Sequence, residues 1–240
     1  MIVVLASRFD ASAARLAERW RSHGARLLTP EGLSVRGWCH ESGAVDRSTA
    51  VLDGEVVPLR SIDGVLTRLS GVSEDELPHI VPGERAYVSS EMTSFLVAWL
   101  SSLEGRVLNR PTPACLCGPN WGMEQWAHEA TRVGFPIRPV RRLARAFGQA
   151  QTDVGRGQAE PAQADLRHVT LVGRRLFGRS IDETTERRVL RLSQATNVEL
   201  LTMTLVREGG STVFVGASPW VDVDRPEVAD AILERWEVER

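Results

Sequence analysis

The sequence contains no lysine, since all 29 basic residues among its 240 are arginine. A guanidinium group stays protonated at every pH that proteins experience, so arginine cannot replace lysine as a general base or as a Schiff-base amine. Any phosphate that the chain binds must be held without a lysine ammonium group. Chemistry that depends on lysine is therefore excluded.

Cysteine and net charge are also scarce. Cys39, Cys115 and Cys117 are the three cysteines, and this odd number argues against a disulfide framework and favours a cytoplasmic protein. The formal net charge is only -2, which gives no electrostatic reason for a nucleic-acid or anionic-membrane partner. No apolar run approaches the ~18 residues that a membrane span needs. We therefore expect neither nucleic acid nor membrane among the partners.

The first half of the sequence alternates between apolar runs and segments of helical periodicity. We expect strands at 1–7, 25–28, 62–69 and 106–108, helices at 10–21, 84–103 and 120–133, and a hairpin around Asp53 and Gly54. Strands that alternate with helices are typical of a mainly parallel sheet. The first half is therefore predicted to be a parallel α/β domain.

The second half has a different pattern. Residues 140–164 are rich in Gln, Gly and Ala and show no hydrophobic period, which is typical of a linker. We then expect hairpins around 173–174 and 207–210 and helices at 183–196 and 226–238. The expected organisation is a parallel α/β domain at 1–139, a linker at 140–164 and an antiparallel α+β part at 165–240.

Five short motifs follow one another in an order that is similar to a known family. They are Asp63–Arg68, Glu91–Phe95, Asn109–Pro111, Gly134–Pro139 and Asp165–Arg167. Their order and spacing resemble ATP-grasp ligases of the glutathione-synthetase-like branch, which includes ribosomal-protein glutamate ligases and microviridin-type peptide ligases. The resemblance implies a pre-ATP-grasp-like α/β domain followed by a truncated ATP-grasp-like half.

The chain departs from this family where the family binds Mg²⁺ and ATP. The resemblance places an Asp at Thr204, a Glu at Gly216 and an Asn at Ser218, and it places a lysine near 120–123. It also implies that the lid subdomain is replaced by the short linker 140–164. We therefore expect a degenerate ATP-grasp protein without lid, lysines or magnesium ligands. We expect it to have no catalytic residue, no metal and no cofactor.

Six residues are candidates for a ligand- or partner-binding cleft: Arg68, Asn109, Arg110, Arg167, Ser218 and Trp220. Two of the arginines have an alternative interpretation. Arg68 either lines the cleft or forms a structural ion pair near Glu91, and Arg167 either binds an anion or is an ordinary surface residue. Trp220, at a strand end, is the strongest candidate for an exposed contact because tryptophan and arginine dominate interface energetics.

The Cys115–Leu116–Cys117 segment permits two interpretations. With His128, or with Cys39 and His40, the two thiols could form a zinc site. A C-x-C pair lacks the usual C-x₂₋₄-C spacing, however, so buried structural thiols are the main expectation.

Two functions from different classes remain. The first is a non-catalytic binding or accessory protein for a peptide, substrate or enzyme partner in a biosynthetic or peptide-modification pathway. Such a protein could also form a homodimer. The second is an ATP-dependent carboxylate–amine ligase, or a repurposed enzyme, that binds its substrates with arginine. The missing lysines and magnesium ligands favour the first.

Overall fold

Two compact units make up the chain, and they interleave along the sequence. The computed structural model describes residues 1–138, 166–179 and 181–237, with the Glu237 side chain excepted. Unit 1 consists of Met1–Asn120, Val198–Leu200 and Pro219–Arg240, and unit 2 of Trp121–Asn197 and Leu201–Ser218. The expected linker 140–164 and Asp165 lie outside the described residues, so the domain boundaries that we expected there stay a prediction.

The described residues form nine strands and five α-helices. In chain order they are β1 (Ile2–Ala6), α1 (Ala11–Arg19), β2 (Ala25–Leu28), β3 (Thr49–Leu52), β4 (Glu55–Pro58), β5 (Gly64–Arg68), α2 (Arg85–Ser102), α3 (Met123–Arg132), β6 (Leu166–Val172), β7 (Arg175–Phe177), α4 (Glu183–Thr196), β8 (Leu200–Glu208), β9 (Ser211–Ser218) and α5 (Pro226–Glu237). No helix among the described residues is both long and apolar enough to span a membrane.

The parallel sheet of unit 1 has the strand order β2-β1-β5. Ile2 of β1 lies opposite Ala25 on one side and Gly64 on the other, and both pairings are parallel. All five residues of β1 are buried, as expected for a central strand covered on both faces. A parallel bridge from Val65 to Val107 continues the sheet at the expected short strand. The predicted parallel α/β layer is therefore confirmed.

The hairpin of β3 and β4 has the turn that its sequence predicts. Asp53 and Gly54 have φ angles of 53° and 78°. Positive φ at both central residues is the type I′ geometry, which matches the twist of the flanking strands. Asn and Asp tolerate this conformation better than other non-glycine residues, so Asp-Gly specifies the turn locally.

Helices α2 and α5 supply much of the unit 1 core. Leu96, Trp99 and Leu100 of α2 are buried in one cluster with residues of β1 and β5, as the helical period predicted. Trp236 of α5 packs edge-on against Trp20, with ring centroids 6.2 Å apart. These aromatic contacts bury large apolar areas and are the main local source of stability.

Unit 2 contains a four-stranded sheet with the order β7-β6-β8-β9. Strands β6 and β7 pair antiparallel, and so do β8 and β9. Contacts of Thr170 with Thr202 and of His168 with Thr204 join β6 to β8 in opposite residue order, as in an antiparallel pair. The predicted antiparallel part of the fold is therefore confirmed.

The β8–β9 hairpin is longer than the sequence suggested. Its turn is confined to Gly209 and Gly210, with φ angles of 54° and 83°, because Arg207 and Glu208 still belong to β8. A register shift follows Thr204, and it leaves Val215 without a cross-strand partner as a β-bulge. The bulge thus divides the hairpin into a half near the turn and a half near the strand end, which contains Thr202, Thr204, Gly216 and Ser218.

Helix α3 and the residues after it pack against β9. Phe135 contacts Phe214 with ring centroids 5.9 Å apart, and the Phe214 amide donates to the Pro136 carbonyl at 2.8 Å. Trp126 is buried and Trp121 lies against it at 4.8 Å. Trp126 is therefore a core residue, whereas Trp121 is half-buried.

Candidate binding site

Arg68, at the end of β5, is held in place by two hydrogen bonds within unit 1. Its Nε donates to Asp10 Oδ2 at 2.8 Å and its Nη1 donates to the Val221 carbonyl at 2.9 Å. The side chains of Arg68 and Asp10 are only 7% and 12% exposed. A buried guanidinium needs such compensation, since an unpaired buried charge costs several kcal/mol. Arg68 thus forms the structural ion pair that the sequence left open, but with Asp10 and not with Glu91, which is exposed.

Trp220 covers this guanidinium. The Arg68 Cζ lies 4.6 Å from the centre of the indole ring, within the range of a cation–π contact. Trp220 is nevertheless 45% exposed, as expected for a contact residue. The structure therefore brings together two of the six candidate residues, Arg68 and Trp220, through partners that the sequence did not reveal.

Asn109 belongs to a separate set of hydrogen bonds in unit 1. Its Oδ1 accepts from the amides of Glu199 and Leu200 at 2.9 Å each, and its Nδ2 donates to the Leu200 carbonyl at 2.7 Å and the Cys117 carbonyl at 3.4 Å. Asn109 is buried and has a φ of 59°, which asparagine tolerates. Its amide is fully engaged with the backbone, whereas the neighbouring candidate Arg110 is exposed.

The remaining two candidates lie in unit 2. Arg167 is half-buried on β6, and Ser218 is the exposed last residue of β9. Ser218 lies opposite Thr202 in the β8–β9 register. Each of these residues is described only within its own unit, so the proposal of one shared cleft stays a prediction.

The half of the β8–β9 hairpin near the strand end contains the three positions where the family resemblance places magnesium ligands. Thr204 lies directly opposite Gly216, and Ser218 follows two residues later on the same face. The Thr204 hydroxyl contacts His168 Nδ1 at 3.3 Å. We call Thr204, Gly216 and Ser218, with Thr202, the hydroxyl face.

Met123, at the start of α3, lies above the glycine of this face. A Cβ at position 216 would be 3.2 Å from the Met123 Cε. No sequence pattern indicates this contact, since Met123 is far from β9 along the chain and is itself 41% exposed. The space beside Gly216 is therefore occupied by the end of a flexible side chain.

The chemistry of the hydroxyl face does not suit a hard divalent cation. Mg²⁺ prefers carboxylate and carbonyl oxygens, and this face offers neutral hydroxyls and a glycine without a side chain. Across the described ranges, no group of three or more His, Cys, Asp or Glu side chains is arranged to hold a metal ion.

The C-x-C segment is a pair of buried thiols. The Sγ atoms of Cys115 and Cys117 are 3.3 Å apart, and both residues are 6% exposed. Burial, with the adjacent Cys115, raises the pKa of Cys117 to about 12. Since only a thiolate binds metal or attacks an electrophile, this cysteine is inert at neutral pH. The geometry supports the structural interpretation of these thiols.

Comparison with known proteins identifies the fold. No protein-family model matches the chain, and no curated protein matches it significantly. Among solved structures, it is similar to the macrocyclase MdnC bound with precursor peptide MdnA from Microcystis aeruginosa MRC, with a TM-score of 0.68 and 12% identity over 99% of this chain and 100% of that chain.

Two further structures are similar over nearly the whole chain. A Chryseobacterium gregarium RiPP-associated ATP-grasp ligase, in complex with ADP and a leader and core peptide, has a TM-score of 0.67 and 10% identity over 100% of this chain and 97% of that chain. A RimK domain protein ATP-grasp from Sphaerobacter thermophilus DSM 20745 has a TM-score of 0.54 and 15% identity over 99% and 100%. The chain has the fold of the ATP-grasp ligases, as the order of its motifs indicated.

Proposed function

We propose that this protein is a non-catalytic relative of the ATP-grasp ligases that binds a peptide or protein partner in a peptide-modification pathway. The single observation that carries the proposal is the hydroxyl face. The family resemblance places magnesium ligands at Thr204, Gly216 and Ser218, and none of these residues has a carboxylate or an amide oxygen in its side chain.

Loss of these ligands affects the central step of ATP-grasp chemistry. Activation of a carboxylate as an acyl phosphate builds negative charge on phosphate oxygens, which metal ions and cationic side chains must stabilise. The chain has neither the metal ligands nor any lysine, and 140–164 offers only 25 residues where the family has its lid. Because all three departures affect the same reaction, they support binding without ligation.

A peptide partner is supported by the fold and by the exposed aromatic. The MdnC structure holds a precursor peptide, and the Chryseobacterium ligase holds a leader and core peptide. In this chain the half-exposed Trp220, stacked on Arg68, combines the two residue types that most often dominate the energy of interfaces. Trp220 and Arg68 therefore favour a protein or peptide ligand, whereas the Chryseobacterium structure contains ADP as well as peptide.

Calorimetry and thermal denaturation with millimolar Mg·ATP test the catalytic alternative. We expect no heat of binding and no shift of the melting temperature. A dissociation constant tighter than about 100 μM, which corresponds to about 5.5 kcal/mol of binding free energy, would favour a ligase that holds nucleotide with arginine and would overturn the proposal.

A binding assay with variants tests the positive half. The partner would first be identified by affinity capture with products of neighbouring genes, such as precursor peptides or a full-length ligase. We expect Trp220→Ala and Arg167→Ala each to weaken the complex by roughly 1–3 kcal/mol. Arg174→Ala, on the exposed β6–β7 turn, is the matched control and should have no effect.

The partner could also be a second copy of this chain. Light scattering of the purified protein would distinguish this case, because a homodimer has twice the mass of the single chain. Unchanged capture with both Trp220→Ala and Arg167→Ala would place the function on another surface.

A further inference from the structure

Arg68 has an unused hydrogen-bonding edge beside an exposed aromatic ring. We infer that Arg68 and Trp220 form a binding site for a carboxylate that carries a neighbouring apolar group, such as a peptide C-terminus or an acidic side chain next to an apolar residue. This inference deepens the proposed function, on which it rests for the source of the ligand. The carboxylate site itself can be tested without any partner.

Arg68 has more hydrogen-bond donors than its partners use, since a guanidinium carries five N–H groups. Arg68 makes two hydrogen bonds, from Nε to Asp10 and from Nη1 to the Val221 carbonyl. Its Nη2 donates to no other described residue, and it is not among the buried polar atoms that lack a partner. Nη2 is therefore not completely buried, although the side chain as a whole is 7% exposed.

Arg68 and Trp220 lie side by side, with the Arg68 Cζ over the indole ring at 4.6 Å. The N–H groups of a guanidinium point outward in its plane, and those of Nη2 have no acceptor among the described residues. A carboxylate is the planar acceptor that matches such an edge with two parallel hydrogen bonds.

The Arg68 side chain is held rigidly. Asp10 Oδ1 also accepts from the Ala13 amide at 2.9 Å as the N-cap of α1, so the partner of Arg68 is itself fixed. A guanidinium held from two sides loses little conformational entropy when it binds a ligand. Arg68 is thus preorganised to donate from Nη2 to an acceptor of the ligand.

The surrounding charges limit the affinity. Asp10 already neutralises part of the Arg68 charge. Asp224 also feels the Arg68 charge, and its pKa is lowered first by hydrogen bonds from Ser12 and Arg15. Since Arg15 pairs with Asp224 at 2.9 Å, this second carboxylate is engaged elsewhere. A small carboxylate should therefore bind weakly, and its apolar part should add affinity by contact with the exposed indole.

The test uses 3-phenylpropanoate as the probe and 3-phenylpropanamide as its neutral counterpart. Binding is followed by NMR of the Trp220 indole N–H, assigned with Trp220→Phe, and of the Arg68 Nε–H. We expect the carboxylate to shift both signals saturably at millimolar concentration, and the amide to shift neither. Equal shifts with both compounds would overturn the inference, because the ligand would then be recognised without its charge.

Variants separate the site from a nonspecific aromatic contact. Trp220→Ala should weaken 3-phenylpropanoate binding by about threefold or more. Phe9→Ala is the matched control, since Phe9 is exposed and stacks under the exposed Arg8 at the same 4.6 Å. Arg68→Lys keeps the charge but loses the planar fork, so it should abolish the shift if the variant folds. Equal effects of Trp220→Ala and Phe9→Ala would contradict the site, whether or not Arg68→Lys folds.

Three short peptides distinguish the sources of the carboxylate. One ends in Phe with a free C-terminus, the second is its amide, and the third is amidated but has Asp before Phe. Binding of the first alone assigns a peptide C-terminus, and binding of the third assigns an acidic side chain. Binding of neither charged peptide would contradict the site.

Competition separates this inference from the proposed function. If 3-phenylpropanoate binds and no peptide or protein partner is found, the site stands and the proposed function fails. If a partner is captured but 3-phenylpropanoate does not shift the Trp220 and Arg68 signals, the proposed function stands and the inference fails.

Discussion

Two strand glycines, one in each unit, lie beneath a side chain from a helix, and the two contacts differ greatly. A Cβ at Gly64 of β5 would be 2.3 Å from Cδ2 of Trp236, a ring that is 3% exposed. A Cβ at Gly216 of β9 would be 3.2 Å from the terminal methyl of Met123, which is 41% exposed. The first contact is a rigid part of a core, and the second is the end of a flexible side chain.

This difference indicates how strictly each position requires glycine. A fused ring packed among buried residues cannot move without opening a cavity, so Gly64 is required by the fold. Methionine has three rotatable bonds and adapts readily to new neighbours. The fold therefore does not demand glycine at 216 as it does at 64.

The largest expected effect comes from Gly64→Ala. Its methyl group would overlap the Trp236 ring, and we expect a loss of about 3 kcal/mol in the free energy of unfolding. Urea denaturation followed by circular dichroism measures it. Gly83→Ala is the matched control because a Cβ there meets nothing within 4 Å, and it should change stability by less than about 0.5 kcal/mol. A small effect at Gly64 would show that the Trp236 contact is not rigid.

A polar contact of unit 1 gives the next largest effect. Asn109→Ala removes the amide that binds Glu199, Leu200 and the Cys117 carbonyl, and it places alanine at a φ of 59°. We expect a loss of about 2–3 kcal/mol in urea denaturation, since buried backbone groups lose their partners. Asn109→Gly retains the conformational freedom and isolates the hydrogen bonds. A loss confined to the alanine variant would contradict their importance.

Removal of the N-cap of α4, in unit 2, should have a moderate effect on the free energy of unfolding. Asp182 Oδ1 accepts from the Thr185 amide at 2.8 Å, and this hydrogen bond lowers the pKa of Asp182. Asp182→Ala should cost about 1 kcal/mol. Because the folded pKa is lowered, the contribution of the charged form is present above the unfolded pKa, near 4, and is lost as the pH falls through the folded value.

The matched variant for this cap is Asp182→Asn, which caps the helix without titrating. The difference in unfolding free energy between wild type and Asp182→Asn should shrink below about pH 4. A difference that stays constant down to pH 2 would mean that the carboxylate charge contributes nothing.

The contrast between local and distant contacts also explains what the sequence could reveal. The Asp-Gly turn and the apolar run of β1 are encoded by neighbouring residues, so their positions were predicted. Arg68, however, finds Asp10 58 positions away and the Val221 carbonyl 153 positions away. Periodicity carries no information about such pairs, because they depend on how strands and helices assemble. The stack of Trp220 on Arg68 was inaccessible for the same reason.

The smallest expected effect is that of Gly216→Ala. Alanine loses less conformational entropy than glycine when a strand forms, which favours the variant by about 0.5–1 kcal/mol, and the shift of the Met123 methyl offsets part of that gain. We expect a net change within about 1 kcal/mol of zero in urea denaturation. Met123→Ala combined with Gly216→Ala separates the two effects, because without the methionine side chain only the gain remains. If Gly216→Ala instead cost as much as Gly64→Ala, the cover over Gly216 would be rigid, and the fold itself would exclude a carboxylate at this position.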